Sequence, residues 1–232
     1  AAAYTMTVDV TPVQDLPTAS DNTVTTAEDT AYAFGVADFG FSDVDAGDTL
    51  QQVQITSLET AGSLQLNGVD VTLDQAISVV DIAAGNLTFT PALDQNGVGY
   101  DSFDFKVHDG TGYSTSDYTM TVDVTPVQDL PTGADNTVTT AEDTAYAFAV
   151  ADFGFADVDA GDTLQQVQIT SLETVGSLHL SGADVTLGQV IAAADITAGN
   201  LTFTPAADEN GVGYDSFDFR VHDGTAYSAS DY

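Results

Sequence analysis

Two identical segments, Asp43–Asp48 and Asp157–Asp162, each place three carboxylates within a short stretch of chain. Each reads Asp-Val-Asp-Ala-Gly-Asp, so two carboxylates stand on alternate residues and a glycine lets the backbone turn before the third. Carboxylate oxygens are ligands of hard divalent cations, and Ca²⁺ takes about six to eight oxygens. The spacing predicts a calcium site, although a turn capped by its own aspartates is the alternative interpretation. The predicted ligands are Asp43, Asp45, Asp48, Asp157, Asp159 and Asp162.

Further acidic side chains lie in segments that a strand-rich domain would place at its ends. One pair lies in proline-flanked linkers, one in Ala-Glu-Asp-Thr and one in Val-His-Asp-Gly. The candidates are Asp15, Asp129, Glu28, Glu142, Asp109 and Asp223. Taken singly, each is more typical of a turn or a cap. Four other acids are predicted to be surface or turn residues: Asp81, Asp94, Asp101 and Asp104.

The charge balance is strongly acidic, with 36 Asp and Glu against 2 Lys and Arg and a net charge of -34. Two basic residues cannot form the footprint that nucleic acid or an anionic membrane surface requires. Disorder is also disfavoured, because 43% of the residues are hydrophobic and 9% are aromatic. A folded chain of this composition repels itself. The composition therefore predicts a bound counter-charge, with Ca²⁺ as the cofactor.

The chain contains an internal repeat: residues 5–118 align with residues 119–232 without a gap and match at 95 of 114 positions. A period this long corresponds to a whole domain. The predicted division is 1–17 as a strand and linker of a preceding or neighbouring domain, 18–131 as repeat 1, and 132–232 as repeat 2 without its last strand. Two interpretations stay open: an excerpt of a long repetitive protein, or a chain whose strand 5–13 completes the last domain of a neighbouring copy.

Alternating apolar and polar residues predict strands in almost every segment. Thr5–Val13 alternates, and Tyr100–His108 places its apolar side chains on one face. An Asn-Gly pair at Asn67 predicts a hairpin. The expected fold class is all-β: tandem seven-stranded Greek-key β-sandwiches of immunoglobulin type, arranged end to end.

The ordered set of motifs resembles bacterial cadherin-like repeats of giant calcium-dependent surface adhesins. The motifs are Ala-Glu-Asp-Thr, Asp-Val-Asp-Ala-Gly-Asp-Thr-Leu, Leu-Thr-Phe-Thr-Pro, Gly-Tyr-Asp-Ser-Phe-Asp-Phe, Val-His-Asp-Gly and Val-Thr-Pro-Val-Gln-Asp-Leu-Pro. The resemblance implies calcium between consecutive domains, where it stiffens the joint. The implied ligands of the joint between the repeats are Glu28, Gln128, Asp129, Asp157, Asp159 and Asp223. The implied ligands of the joint before residue 18 are Asp15, Asp43, Asp45 and Asp109.

These observations favour an extracellular, calcium-rigidified structural or adhesive repeat on a bacterial cell surface, which forms a stalk or a filament with neighbouring copies. A calcium-dependent carbohydrate-binding module is the alternative, although the chain has no Trp for stacking on sugars. A cell-surface or polysaccharide ligand would then be the partner. An enzyme is disfavoured because no cysteine nucleophile and no Ser-His-Asp spacing is present. The sequence predicts no nucleic-acid partner and no membrane insertion.

Overall fold

A computed structural model describes residues 3–232, so Ala1 and Ala2 of the predicted segment 1–17 lie outside the described residues. These residues form two compact units, divided between Val127 and Gln128. Both units are built from β-strands with a few short helices, which confirms the all-β prediction. The sequence-based domain limits at residues 18 and 132 stay a prediction.

The first unit contains nine strands in two sheets, together with a 3-10 helix at Val36–Phe39 and a short α-helix, α1, at Val79–Ala83. One sheet has the order β1-β9-β8-β3-β6 and the other the order β2-β7-β4-β5. The strands are β1 (Asn22–Ala27), β2 (Tyr32–Ala33), β3 (Gln52–Ser57), β4 (Ser63–Leu66), β5 (Val69–Asp70), β6 (Ala76–Ser78), β7 (Leu87–Thr90), β8 (Gly97–His108) and β9 (Tyr118–Thr125).

Strand β9 lies between β1 and β8, parallel to the first and antiparallel to the second. Its alternate residues Met120, Val122 and Val124 are almost fully buried, because the period of a strand turns every second side chain toward the core. Phe103 faces Met120 across the β8–β9 ladder and is 1% exposed. Strand β9, which has a neighbour on each side, therefore covers the core of this unit.

The second unit repeats most of this architecture, with sheet orders β10-β15-β12-β13 and β14-β11-β16. A 3-10 helix lies at Val150–Phe153, and a short α-helix, α2, lies at Ala193–Thr197. The strands are β10 (Tyr146–Ala147), β11 (Gln166–Ser171), β12 (Ser177–Leu180), β13 (Ala183–Asp184), β14 (Val190–Ala192), β15 (Leu201–Thr204) and β16 (Asp218–His222). Among the described residues, this unit contains no strands in the places of β1 and β9.

Three features differ from the sequence-based expectation. The first unit has nine strands rather than seven; the short strand β6 was not predicted, whereas β4 and β5 form the hairpin predicted at Asn67. Helix α1 was not predicted; its first turn is capped by Ser78, whose hydroxyl accepts a hydrogen bond from the Asp81 N–H at 3.1 Å. Residues 5–13, predicted as a strand, have no regular secondary structure and are exposed.

Asp101 was predicted to be a surface or turn acid, but it is buried in β8 with 7% of its surface exposed. Its carboxylate accepts hydrogen bonds from the backbone N–H groups of Thr60, at 2.9 Å, and Ala61, at 2.6 Å. Burial raises the pKa of its counterpart Asp215, but hydrogen bonds from Thr174 and nearby backbone N–H groups outweigh burial and hold it below the usual range. These aspartates anchor a loop onto the sheet.

We expect Asp101→Asn to lower the free energy of unfolding of the first unit by about 2 kcal/mol, because the carboxamide cannot accept all of these charge-assisted bonds. The matched control is Asp117→Asn, which removes the same charge from an exposed ion pair with Lys106 at 3.9 Å and should cost at most about 1 kcal/mol. Urea denaturation of both variants measures the difference. Equal losses would show that Asp101 does not anchor the loop.

Candidate metal centre

In the first unit, three carboxylates from two segments of the chain come together. Asp43 and Asp48 belong to the loop before β3, and Asp109 follows the end of β8. One oxygen of each lies within 4.8 Å of the others. The loop is held in place by a pair of backbone hydrogen bonds between Thr18 and Ser42, both at 2.8 Å. Two parts of the fold thus deliver oxygen ligands to one point.

The aspartate loop folds around its own side chains. The Asp45 N–H donates to Oδ1 of Asp43 at 2.8 Å, which forms an Asx turn. Gly47 has φ +106°, a conformation that favours glycine, and the Asp48 N–H then donates to the Asp45 carbonyl at 3.3 Å. The sequence Asp-Val-Asp-Ala-Gly-Asp therefore turns its carboxylates toward each other by local geometry.

The segment that enters the first unit is bonded to this loop. The Gln14 side-chain amide donates to Oδ2 of Asp48 at 2.6 Å, and the Asp15 N–H donates to Oδ2 of Asp45 at 2.7 Å. Hydrogen bonds to Asp45 and Asp48 therefore hold residues 14 and 15 against the loop.

In the second unit, the three carboxylates that come together all belong to the aspartate loop. Asp157, Asp159 and Asp162 each offer an oxygen within 4.8 Å of the others. The Gln128 side-chain amide donates to Oδ2 of Asp159 at 3.0 Å and to Oδ2 of Asp162 at 2.7 Å. The Asp129 N–H donates to Oδ2 of Asp159 at 2.8 Å. Each unit thus combines an aspartate loop with an incoming Gln-Asp pair.

Asp109 and Asp223 occupy equivalent buried turns, with 7% and 6% of their surfaces exposed. Burial raises the pKa of Asp109, but the N–H groups of Gly112 and Thr111 outweigh it, and the pKa lies below its usual range. The Thr111 hydroxyl also donates to Oδ2 of Asp109 at 2.9 Å. Oδ2 of Asp223 is buried without a hydrogen-bond partner. Asp109 joins its cluster, whereas Asp223 is outside the triple of its unit.

Three of the predicted ligands carry a buried carboxylate oxygen that has no hydrogen-bond partner. These are Oδ2 of Asp43, Asp157 and Asp223. A buried carboxylate oxygen without a donor is costly, so nearly all such atoms have a partner in folded proteins. The only two Lys or Arg residues of the chain lie elsewhere, with Lys106 near Asp117 and Arg220 bonded to Asp231. An all-oxygen donor set of this kind fits Ca²⁺ better than softer metals.

A family model described as a bacterial Ig domain matches residues 14–125 and again residues 128–231. The two matches cover most of the chain. The chain belongs to the bacterial Ig domain family. This confirms the prediction of immunoglobulin-like tandem repeats, and it indicates a structural or adhesive role of the kind found in surface-exposed bacterial Ig domains.

Other comparisons add little to this family assignment. No match was found among curated proteins. A solved structure, an endo-fucoidan hydrolase from glycoside hydrolase family 107, is 20% identical and aligns over 93% of this chain and 28% of its own, with a TM-score of 0.29. The chain therefore spans less than a third of that protein, and a TM-score this low supports no inference. No helix among residues 3–232 is long and apolar enough to cross a membrane.

The early glutamates of the two bacterial Ig domains differ in their surroundings. Glu28 is 3% exposed; its carboxylate accepts hydrogen bonds from the Val127 N–H and from the Asn96 side chain, the latter at 2.9 Å. Glu142 is exposed and accepts a bond from Asn210 at 2.8 Å. Bonds within the first unit thus account for the burial of Glu28, and the role of both residues as metal ligands stays a prediction.

Proposed function

We propose that this protein is a calcium-binding structural or adhesive repeat of a bacterial cell surface, and that it has no enzymatic activity. The observation that carries the proposal is the set of buried, unpartnered carboxylate oxygens in the aspartate loops of the two units, at Asp43 and Asp157. The donor set contains only oxygen ligands, and no lysine or arginine is available to offset its charge. Calcium would supply both the missing ligand contact and the missing positive charge.

Calcium would also order the segment that leads into each unit. Residues 14–15 and 128–129 are bonded to the aspartate loops through amide donors. Without a cation, the carboxylates that accept these bonds repel one another, and the segment loosens with them. With a cation, the loop becomes rigid and so does the linker bonded to it. This is the physical basis for a stalk that calcium stiffens, in agreement with the resemblance to cadherin-like repeats.

The resemblance also implies an extracellular setting, where modules of this type bind Ca²⁺ with dissociation constants of about 10⁻⁴–10⁻³ M. Neighbouring copies of the repeat are the proposed partners. The high negative charge keeps such chains soluble and apart from nucleic acid and anionic membranes.

Calcium titration of the full chain by calorimetry tests the proposal. We expect at least one ion per unit in the wild type, and a loss of affinity of about tenfold or more in the double variant Asp43→Asn with Asp157→Asn. Asparagine retains an oxygen for the Asx turn but replaces the unpartnered oxygen with an amide, which cannot bind a cation.

The matched control is Asp70→Asn with Asp184→Asn, which removes two charges from equivalent exposed hairpin positions. Its calcium affinity should equal that of the wild type. No binding by the wild type up to about 10 mM, a concentration above the range expected for extracellular modules, would overturn the proposal. An equal loss of calcium affinity in both double variants would show that the loss reflects the overall charge of the chain and not the aspartate loops.

A further inference from the structure

The outward face of strands β3 and β8 carries amide, imidazole and amine groups. Gln52 pairs with His108, and Gln54 pairs with Lys106, across the two strands. All four side chains are half-buried, since the alternate residues of both strands point into the core. No carboxylate stands among these four positions, although 36 of the 232 residues are acidic. We call this surface the amide face; it is free of carboxylates on a strongly acidic chain.

Tyr113 holds two side chains of the amide face in place. It forms a β-bridge with His108, and its hydroxyl donates to Oε1 of Gln52 at 3.2 Å. Its ring packs edge-on against the His108 ring, with centroids 4.4 Å apart. The Gly110 N–H also donates to Nδ1 of His108 at 2.8 Å. These contacts preorganise Gln52 and His108, which lowers the entropic cost of binding a ligand.

The same contacts leave the donor groups of the amide face unused. Because Nδ1 of His108 accepts a hydrogen bond, the proton of the neutral ring lies on Nε2. The Tyr113 hydroxyl occupies the side-chain oxygen of Gln52, so the two amide N–H groups remain for a ligand. Among residues 3–232, neither Nε2 of Gln52 nor Nε2 of His108 donates a hydrogen bond. A ligand rich in oxygen acceptors would match this face.

The second unit has an equivalent amide face on β11 and β16. Gln166 pairs with His222 across these strands. The Tyr227 hydroxyl donates to Oε1 of Gln166 at 3.3 Å, and its ring centroid lies 4.4 Å from that of His222. The Gly224 N–H donates to Nδ1 of His222 at 2.8 Å. The chain thus carries the same set of preorganised donors twice, and two of its three histidines belong to it.

The charges around the amide faces disfavour an anionic ligand. Lys106 lies 3.9 Å from Asp117, and the equivalent Arg220 is bonded to Asp231, so both cations are already paired. The net charge of -34 also repels a polyanion at long range. Uncharged amide and imidazole donors instead fit the hydroxyl and ring oxygens of neutral sugars. The tyrosine ring beside them offers the apolar surface that one side of a sugar ring requires.

We propose that the amide faces of both units bind a neutral polysaccharide, independently of calcium. Gln52 and Gln166 donate amide N–H groups to sugar oxygens, and His108 and His222 donate from Nε2. Each contact is weak, but a polymer offers many equivalent sugars to the two faces of one chain, which raises the avidity. The inference goes beyond the proposed function, because none of these residues is a proposed calcium ligand.

Affinity gel electrophoresis of the full chain tests the proposal. Three neutral polymers are cast in separate gels: dextran, a mixed-linkage β-glucan and galactomannan. Alginate without calcium serves as the acidic polymer. We expect at least one neutral polymer to retard the wild type equally with calcium and with a chelator, and alginate not to retard it. The double variant Gln52→Ala with Gln166→Ala should bind at least about fivefold more weakly, since each face loses its amide donors.

The matched control is Gln51→Ala with Gln165→Ala. It removes the same amide groups one residue earlier, where the side chains bond to Thr49 and Thr163, both at 2.8 Å. Its retardation should equal that of the wild type.

Each other result would overturn a stated part of the proposal. No retardation by any of the three neutral polymers would overturn polysaccharide binding, and an equal loss in both double variants would overturn its assignment to the amide faces. Retardation by alginate alone would show that the ligand is anionic. Loss of retardation with the chelator would show that binding depends on calcium. Calcium affinity is measured separately by calorimetry, so failure of the metal site is distinguishable from failure of the amide faces.

Discussion

Saturating calcium should raise the melting temperature of the 232-residue chain by on the order of 10 °C. A ligand that binds only the folded state at about 100 times its dissociation constant stabilises that state by about 2.7 kcal/mol. For domains of about 100 residues, each kcal/mol shifts the melting temperature by about 4–8 °C. Relief of repulsion among the clustered carboxylates is part of the same binding free energy. Differential scanning calorimetry with calcium or with a chelator measures the shift.

Two controls separate site binding from charge screening. Magnesium at equal concentration should stabilise the chain much less, since Mg²⁺ requires near-octahedral geometry and gives up its water reluctantly. The double variant Asp43→Asn with Asp157→Asn should lose most of the calcium shift, whereas Asp70→Asn with Asp184→Asn should retain it. If sodium chloride at matched ionic strength produced the same shift as calcium, general screening would explain the effect and the site would not be needed.

The strands of the first unit were largely predictable because their patterns and their partners are both encoded in the repeat. Alternation in Tyr100–His108 placed its apolar side chains on one face, and Phe103, Phe105 and Val107 are all buried. Helix α1 escaped prediction because it is short and begins Val-Val-Asp-Ile, which has no strong helix propensity. Packing of Ile82 against the core accounts for it instead, since the equivalent helix α2 packs Ile196 in the same way and has no side-chain cap.

Residues 5–13 show that alternation alone does not predict whether a strand forms. Their alternation predicts a strand correctly when the same sequence occurs at β9, between two partner strands. At residues 5–13 no regular structure forms. A strand satisfies its backbone hydrogen bonds only through a neighbour, and local sequence does not tell whether a neighbour is present. For the same reason, residues 22–27 form strand β1 whereas the identical residues 136–141 have no regular structure.

The candidate site was predictable where its geometry is local. The Asx turn and the glycine of the aspartate loop follow from six consecutive residues, so Asp43 and Asp48 were found from spacing alone. Asp101 was missed because its hydrogen bonds come from a loop 40 and 41 residues away in the chain. Glu28 and Glu142 have identical sequence neighbours, yet one is buried and the other exposed. Their difference depends on Val127, which bonds only the first of them.

The two repeats differ in how much apolar surface they bury. They match at 95 of 114 positions, but among residues 3–232 only the first repeat forms a ninth strand. Burial of each large apolar side chain stabilises a fold by about 1.5–3 kcal/mol, and β9 buries Met120, Val122 and Val124. In the 232-residue chain, the second unit should therefore melt at least about 10 °C below the first.

Extending the 232-residue chain after Tyr232 with Thr-Met-Thr-Val-Asp-Val-Thr-Pro-Val should bring the two transitions together. The added residues repeat the sequence of β9 and can pair with residues 136–141 and 211–217, which are identical to the partners of β9 in the first unit. Calorimetry of the extended and original chains measures the change. The matched control carries Asp in place of the first Val of the extension, a position equivalent to the fully buried Val122. It should leave the second unit as unstable as before, because a carboxylate facing the core costs more than the strand contributes. If the extension left the lower transition unchanged, the missing ninth strand would not account for the lower stability of the second unit.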